Sequence, residues 1–166
     1  MTARIGSATT SKVIQRITGA KGINANLAAL TQAGLSSGDL LSGSQIRAQN
    51  VAPDLTERST TVQYPAANVY CEKIVNSLEE KFRAFSGTIR MAVELRHSQD
   101  RLEGLQDALE LYTDALTQVL HGGRGDWGDG MFYGGAYEVS FGPAKKGGKN
   151  YIQVAKVTFE IGVSRN

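Results

Sequence analysis

The sequence is short of the residues from which covalent or metal-based frameworks are built. Only one cysteine, Cys71, and two histidines occur among its 166 residues. A single cysteine excludes a disulfide within the chain and any metal site made of several cysteines. We therefore expect a fold held together by apolar packing, in a protein made in a reducing cytoplasm and without a cofactor or metal.

Long apolar runs are also missing. No run approaches the roughly 18 residues that a membrane-spanning helix needs. The first 22 residues lack the continuous apolar core of a signal peptide. Both absences predict a soluble chain that has no membrane partner.

Neither sign of charge predominates, because the net charge is only +2. Residues 1–60 carry six bases and three acids, residues 61–121 six and nine, and residues 122–166 six and four. A nucleic-acid binder usually presents a strongly basic face, which this distribution does not favour. Segments of opposite sign do suit subunits whose differently charged faces meet each other.

A helix over residues 98–121 is the strongest pattern that is present. Its apolar residues recur at steps of three and four, which places them on one stripe. Asp100 and Glu103 form a candidate capping box at its start, and Gly122 can end it. The apolar stripe consists of Leu102, Leu105, Leu109, Tyr112, Leu116 and Val119, and the opposite side carries Glu103, Asp107, Glu110 and Asp114.

Strands are indicated by strict alternation in residues 88–97, 137–141 and 157–163. Together with the helix they predict an α+β fold: a mostly antiparallel sheet covered on one face by the long amphipathic helix, plus short N-terminal helices. We expect a single domain over residues 1–166. Its parts are an N-terminal helical and loop segment (1–44), a sheet-and-helix core (45–166) and a hairpin arm around residues 142–151.

The connection between two of the predicted strands carries helix signals. Ser77 and Glu80 have capping-box spacing, which predicts one helical turn there. Phe82 and Phe85 lie on either side of the loop that follows, and Gly87 closes it.

The most glycine-dense segment, residues 122–135, matches G-x-G-x-x-G literally at Gly123–Gly128. A dinucleotide site needs a strand before this motif and a helix after it, and here the order is reversed. Its large side chains predict either a subunit interface or packing on the chain's own core. The candidates in this segment are Arg124, Trp127, Met131, Phe132 and Tyr133.

The reactive side chains do not form a catalytic pattern. Cys71, His97, Ser98 and His121 have no second base or orienting acid at a telling spacing, so we expect no enzyme. Lys145, Lys146 and Lys149 mark a charged hairpin tip. Such a tip can be a solvated turn, can touch phosphate, or can reach the acidic face of an adjacent subunit.

Four segments carry a resemblance to a known family. They are Tyr64–Tyr70 (YPAANVY), Lys81–Gly87 (KFRAFSG), Arg96–Asp100 (RHSQD) before the long helix, and Gly147–Ala155 (GGKNYIQVA). These segments resemble the tail terminator and tail-completion proteins of tailed bacteriophages. The resemblance covers roughly residues 45–166, and the first 44 residues add no pattern that would identify one particular neck component.

The resemblance implies a structural virion protein of the tail and neck, assembled in the host cytoplasm. Such proteins form rings, commonly of six copies, between the tail tube and the head connector, where they stop tube polymerisation and provide the surface on which the filled head docks. The implied partners are other copies of the chain, the tail tube, the sheath and the head connector or stopper. Genome DNA would pass through the lumen without specific binding. The acidic helix side and the basic hairpin tip could be complementary ring contacts, or the acidic side could line the channel.

Two other readings stay open. The chain could be another head–tail connector ring, such as a stopper or adaptor, or a tail-tube-like subunit. It could also be a small nucleic-acid-binding module that uses Arg124 and the hairpin lysines with Trp127 or Tyr133, in which case its affinity would fall steeply with salt.

Overall fold

The computed structural model describes residues 4–33, 39–52 and 62–166, and in these ranges the chain is mixed α+β, the class that the sequence predicts. None of the helices in those ranges is long and apolar enough to cross a membrane. The helices are α1 (Ile5–Thr18), α2 (Ile23–Gln32) and α3 (Leu105–Gly122), with a short 3-10 turn at Gly43–Gln45. The strands are β1 (Ile46–Ala48), β2 (Ala66–Asn76), β3 (Phe85–Gln99), β4 (Gly125–Gly128), β5 (Met131–Phe141), β6 (Lys145–Gly147) and β7 (Asn150–Arg165).

All of these strands belong to one curled sheet. Its order is β1-β2-β3-β7-β5-β4, and β6 pairs with β7 off that path. The β1–β2 pair is parallel and the other pairs are antiparallel. The two longest strands, β3 and β7, run side by side in unbroken register from Phe85 opposite Arg165 to Gln99 opposite Tyr151.

The alternation in the sequence places the core correctly in these two strands. Side chains at every second position of β3 and β7 are buried, because successive residues of a strand point to opposite faces of the sheet. These buried side chains include Ile89, Met91, Val93 and Leu95 in β3 and Val157, Phe159, Ile161 and Val163 in β7.

The helix predicted over residues 98–121 begins only at Leu105. Ser98 and Gln99 instead extend β3, because β7 offers them backbone partners. The predicted capping box is therefore wrong: Gly104, with a φ of +76°, is the N-cap, and the Gln99 side-chain amide donates to the carbonyls of Arg101 and Glu103 in the turn before it. Leu102 lies in that turn and is 56% exposed.

The buried side of α3 is wider than the predicted stripe. Leu105, Leu109, Tyr112, Leu116 and Val119 are buried as predicted, and the further buried residues are Leu111, Thr113, Ala115 and Leu120. The narrower prediction, a long helix that covers one face of the sheet, is not confirmed. The helix is shorter than predicted and packs against α2 as well as against β3 and β7.

Candidate subunit-interface surfaces

The described residues do not gather the reactive side chains into one place. Cys71 pairs with Met91 of β3, whereas His97 lies six positions further along that strand, where its ring is 5.6 Å from that of Tyr112. Burial lowers the pKa of His97 and raises that of Cys71. In residues 4–33, 39–52 and 62–166, no three His, Cys, Asp or Glu side chains could hold a metal ion together.

The acidic side of α3 faces outward. Asp107, Glu110 and Asp114 are exposed on the helix, and Glu103 is exposed in the turn that precedes it. Partial burial and then the neighbouring Glu110 carboxylate raise the pKa of Asp114. Like charges four residues apart on a helix repel each other, so a basic partner at this surface would relieve the repulsion. We call Asp107, Glu110 and Asp114 the acidic helix surface.

The basic hairpin is formed by β6 and the start of β7. Lys145 and Lys146 lie on β6, and Lys149 follows the turn at Gly148, whose φ is +68°. All three lysines are exposed. The Lys146 ammonium lies 5.9 Å from the centre of the Tyr151 ring, a distance at which a cation–π contact is still favourable. The three charges therefore project from a turn that is fixed by strand pairing.

The glycine-dense segment forms the hairpin β4–β5, and most of its large side chains point inward. Trp127 and Tyr133 are buried, and the Trp127 indole N–H donates to the carbonyl of Gly123 at 2.6 Å. Of the two alternatives that the sequence leaves open for Trp127 and Tyr133, the structure has the second, packing in the chain's own core. Alternation along β5 leaves Phe132 outside, 57% exposed. Arg124 is exposed and lies against Gly135, where an added Cβ would come within 2.8 Å of the Arg124 side chain.

The loop between β2 and β3, residues 77–84, is the surface that the sequence did not predict, and we call it the tip loop. It contains no helical turn. Asn76 and Ser86 hold it at its two ends. The Asn76 amide donates to the Ala84 carbonyl at 3.1 Å and its oxygen accepts from the Ser86 backbone at 3.0 Å, while the Ser86 hydroxyl accepts from the Glu80 backbone at 3.0 Å.

Two large apolar side chains project from the tip loop. Phe82 is 100% exposed and Leu78 is 62% exposed. Both have a left-handed backbone, with φ of +65° and +52°, which side chains larger than glycine adopt at a cost. The surrounding hydrogen bonds fix this conformation, and the loop gains no apolar burial from Phe82 in return.

We expect Phe82→Gly to raise the free energy of unfolding by about 1 kcal/mol, because glycine adopts a positive φ without strain. Chemical denaturation of the chain at a concentration where it is monomeric measures this change. A destabilised Phe82→Gly variant would show that Phe82 supports the fold of its own chain. Lys81→Gly is the matched control, which we expect not to gain stability, since Lys81 is not among the residues with positive φ.

An open groove of about 560 Å³ lies on the side of β7 that faces away from the core. Thr158, Glu160 and Gly162 of β7 line it, and they alternate with the core residues of that strand. The wall of the groove is β5, whose pairing with β7 shifts register between Tyr133 and Tyr137. We call this feature the sheet groove.

Ion pairs fix the floor next to the sheet groove. Arg90 of β3 contacts Glu72 at 2.9 Å and Glu138 at 3.5 Å, and donates to the Thr158 hydroxyl at 3.3 Å. Lys156 pairs with the same Glu72 carboxylate, and this contact is the largest influence that lowers the pKa of Glu72. The network joins four strands, β2, β3, β5 and β7, so the groove has a defined shape before any partner arrives.

Comparison with protein-family models and with curated proteins found no match for this chain.

Proposed function

We propose that this chain is a structural subunit of a tailed-bacteriophage neck, a tail terminator that closes with copies of itself into a ring. The observation that carries the proposal is the set of separate, complementary surfaces on one small subunit. An acidic helix surface, a basic hairpin, an apolar tip loop and a partly acidic groove are all exposed. The four sequence segments that resemble tail terminator and tail-completion proteins support the same conclusion.

Ring closure demands surfaces of this kind. In a head-to-tail assembly each subunit uses one patch to contact a different patch on its neighbour, and a ring results when the rotation closes. A subunit with a single self-complementary interface would instead form a two-fold dimer. Opposite charges on α3 and on the β6–β7 hairpin provide one such unlike pair.

The proposed ring has six copies and lies at the head-proximal end of the tail. There it stops polymerisation of the tail tube and joins the tail to the head connector, with the tube, the sheath and the connector or stopper as partners. Genome DNA passes through the lumen without specific binding. The protein is assembled in the host cytoplasm and becomes part of the virion.

Charge exchange between the helix and the hairpin tests the proposed contact. We expect replacement of Asp107, Glu110 and Asp114 by lysine to weaken self-association at least ten-fold, about 1.4 kcal/mol. Replacement of the three hairpin lysines by glutamate should weaken it similarly. Analytical ultracentrifugation at low salt measures both, with thermal unfolding of each variant as the control for folding.

The variant that combines all six substitutions is the decisive control, because exchanging the sign of both surfaces restores their attraction and should restore the ring. If the helix variant assembles normally and newly retains duplex DNA, the acidic helix surface lines the channel and the hairpin contact is abandoned. Normal assembly without DNA retention would show that the acidic helix surface neither holds the ring together nor lines its channel.

A tail-tube-like subunit is the second candidate, favoured by the dominance of the sheet. Seven strands of the described ranges belong to a single sheet. Adaptors, the other kind of head–tail connector considered above, are largely helical. The two candidates differ in closure. A tube subunit stacks into an open-ended polymer, and a terminator stops at one ring.

A further inference from the structure

The tip loop presents the aromatic side chain of Phe82 between two bases, Lys81 and Arg83. Phe82 is fully exposed although the loop around it is fixed by hydrogen bonds to Asn76 and Ser86. Arg83 is anchored within the loop, 3.3 Å from Glu80, and the Glu80 carboxylate accepts from the Ser164 hydroxyl at 2.8 Å. Because the loop that carries Phe82 is already fixed, only the side chain has to lose conformational freedom when it binds, which lowers the cost of using it as an interface anchor.

The sheet groove has the complementary chemistry. Phe132 supplies an aromatic wall, and the two acids Glu138 and Glu160, both exposed, line the same groove. Among the residues that the structure describes, Arg90 is the one base that lines the groove with these two acids, so the acids exceed the bases by one. Its volume of about 560 Å³ lies within the roughly 300–1,000 Å³ of sites that enclose whole small molecules. A phenyl ring and a neighbouring ammonium can therefore enter together.

We infer that Phe82 of one copy inserts into the sheet groove of a second copy, where it packs on Phe132 while Lys81 pairs with Glu160. This inference rests on the proposed self-assembly and names one of the contacts that would hold the ring. Offset or edge-to-face ring packing and a paired charge contribute together at such a site.

A second copy is the occupant that these charges favour. The loop and the groove belong to the same chain, so every copy offers both in equal number, yet Phe82 does not occupy the groove of its own chain. An acidic groove repels the phosphates of a nucleic acid. The contact joins two unlike surfaces, as head-to-tail closure requires.

The first test is Phe82→Ala, studied by concentration-dependent light scattering of the full chain. We expect self-association to weaken at least 30-fold, the effect of losing about 2 kcal/mol at an aromatic anchor. The fold should survive, because Phe82 buries nothing in its own chain. The matched control is Leu102→Ala, another apolar residue that is more than half exposed, which lies in the turn before α3 and should leave association unchanged.

The second test exchanges the inferred ion pair. Lys81→Glu should weaken association about ten-fold, and adding Glu160→Lys in the same chain should recover most of that loss. Loss without recovery would show that the charge at position 81 acts elsewhere.

The third test locates the contact directly. In a Cys71→Ser background, chains carrying Phe82→Cys are mixed with chains carrying Ala136→Cys and then oxidised. We expect a disulfide-linked dimer that contains one chain of each kind, because Ala136 lines the groove. Mixing Phe82→Cys with Ala20→Cys, an exposed site in the loop between α1 and α2, should give none.

The outcomes separate this inference from the proposed function. A wild-type chain that stays monomeric overturns both. A wild-type ring that persists in Phe82→Ala, or Phe82→Cys chains that link to Ala20→Cys as readily as to Ala136→Cys, overturns the loop-in-groove contact alone and leaves the ring standing.

Discussion

Leu116→Ala is expected to lower the free energy of unfolding by about 3–5 kcal/mol, a large share of the roughly 5–15 kcal/mol that stabilises a domain of this size. Leu116 is 0% exposed and belongs to the cluster in which α3 meets the sheet and the N-terminal helices. Its neighbours are fixed by two layers of structure, so the space left by the side chain cannot close. Urea denaturation of the monomer measures the loss.

Gln118→Ala is the matched control for that change. Gln118 lies two residues further along the same helix and is exposed, so its truncation should alter stability by no more than about 0.5 kcal/mol. A loss below about 1 kcal/mol for Leu116→Ala would contradict the position of α3 in the core.

Arg96→Met should also cost about 3–5 kcal/mol, because it removes one partner of a buried ion pair. Arg96 is 2% exposed, and its guanidinium donates to the Glu94 carboxylate at 2.7 Å and to the Val51 carbonyl at 2.6 Å. Methionine fills much of the same space but leaves the Glu94 charge without its cation. Thermal and urea unfolding measure the effect, and Arg47→Met, at an exposed arginine, should be nearly neutral.

A second substitution distinguishes the ion pair from simple packing. Adding Glu94→Gln to Arg96→Met removes the stranded charge and keeps an acceptor for the Tyr70 hydroxyl, which lies 2.8 Å from Glu94. Much of the lost stability should return. If the double variant is as unstable as Arg96→Met, the cost came from the shape of the arginine and not from its charge.

The fold was predictable wherever local periodicity and burial agree. Alternation in β3 and β7 and the heptad-like spacing from Leu105 to Val119 each identify one buried face, and the structure has those faces. Arg96 shows the limit of this reasoning, because alternation places it on the polar side of β3 and gives no sign that it is buried, with its guanidinium bonded to the Val51 carbonyl. The start of α3 was missed for a similar reason: pairing of Ser98 and Gln99 with a strand fifty residues later overrides a local capping signal.

The candidate surfaces were predictable only in part. Helical periodicity predicts outward positions for Asp107, Glu110 and Asp114, and the structure exposes them. Tyr133 could have been assigned to the core from the alternation on either side of Phe132, where Met131 and Tyr133 are buried. The tip loop had no such signal, because its left-handed residues are held by side chains of Asn76 and Ser86 at its two ends, which sequence spacing does not reveal.

Native mass spectrometry of the purified chain is the most direct test of the central claim, that identical subunits close into a ring. We expect one dominant closed species with six times the mass of the chain, and we expect its population to fall in the Phe82→Ala variant and in the variant with a reversed helix charge. A chain that remains a monomer at every concentration, or that forms an open-ended series of ever larger masses, would contradict it.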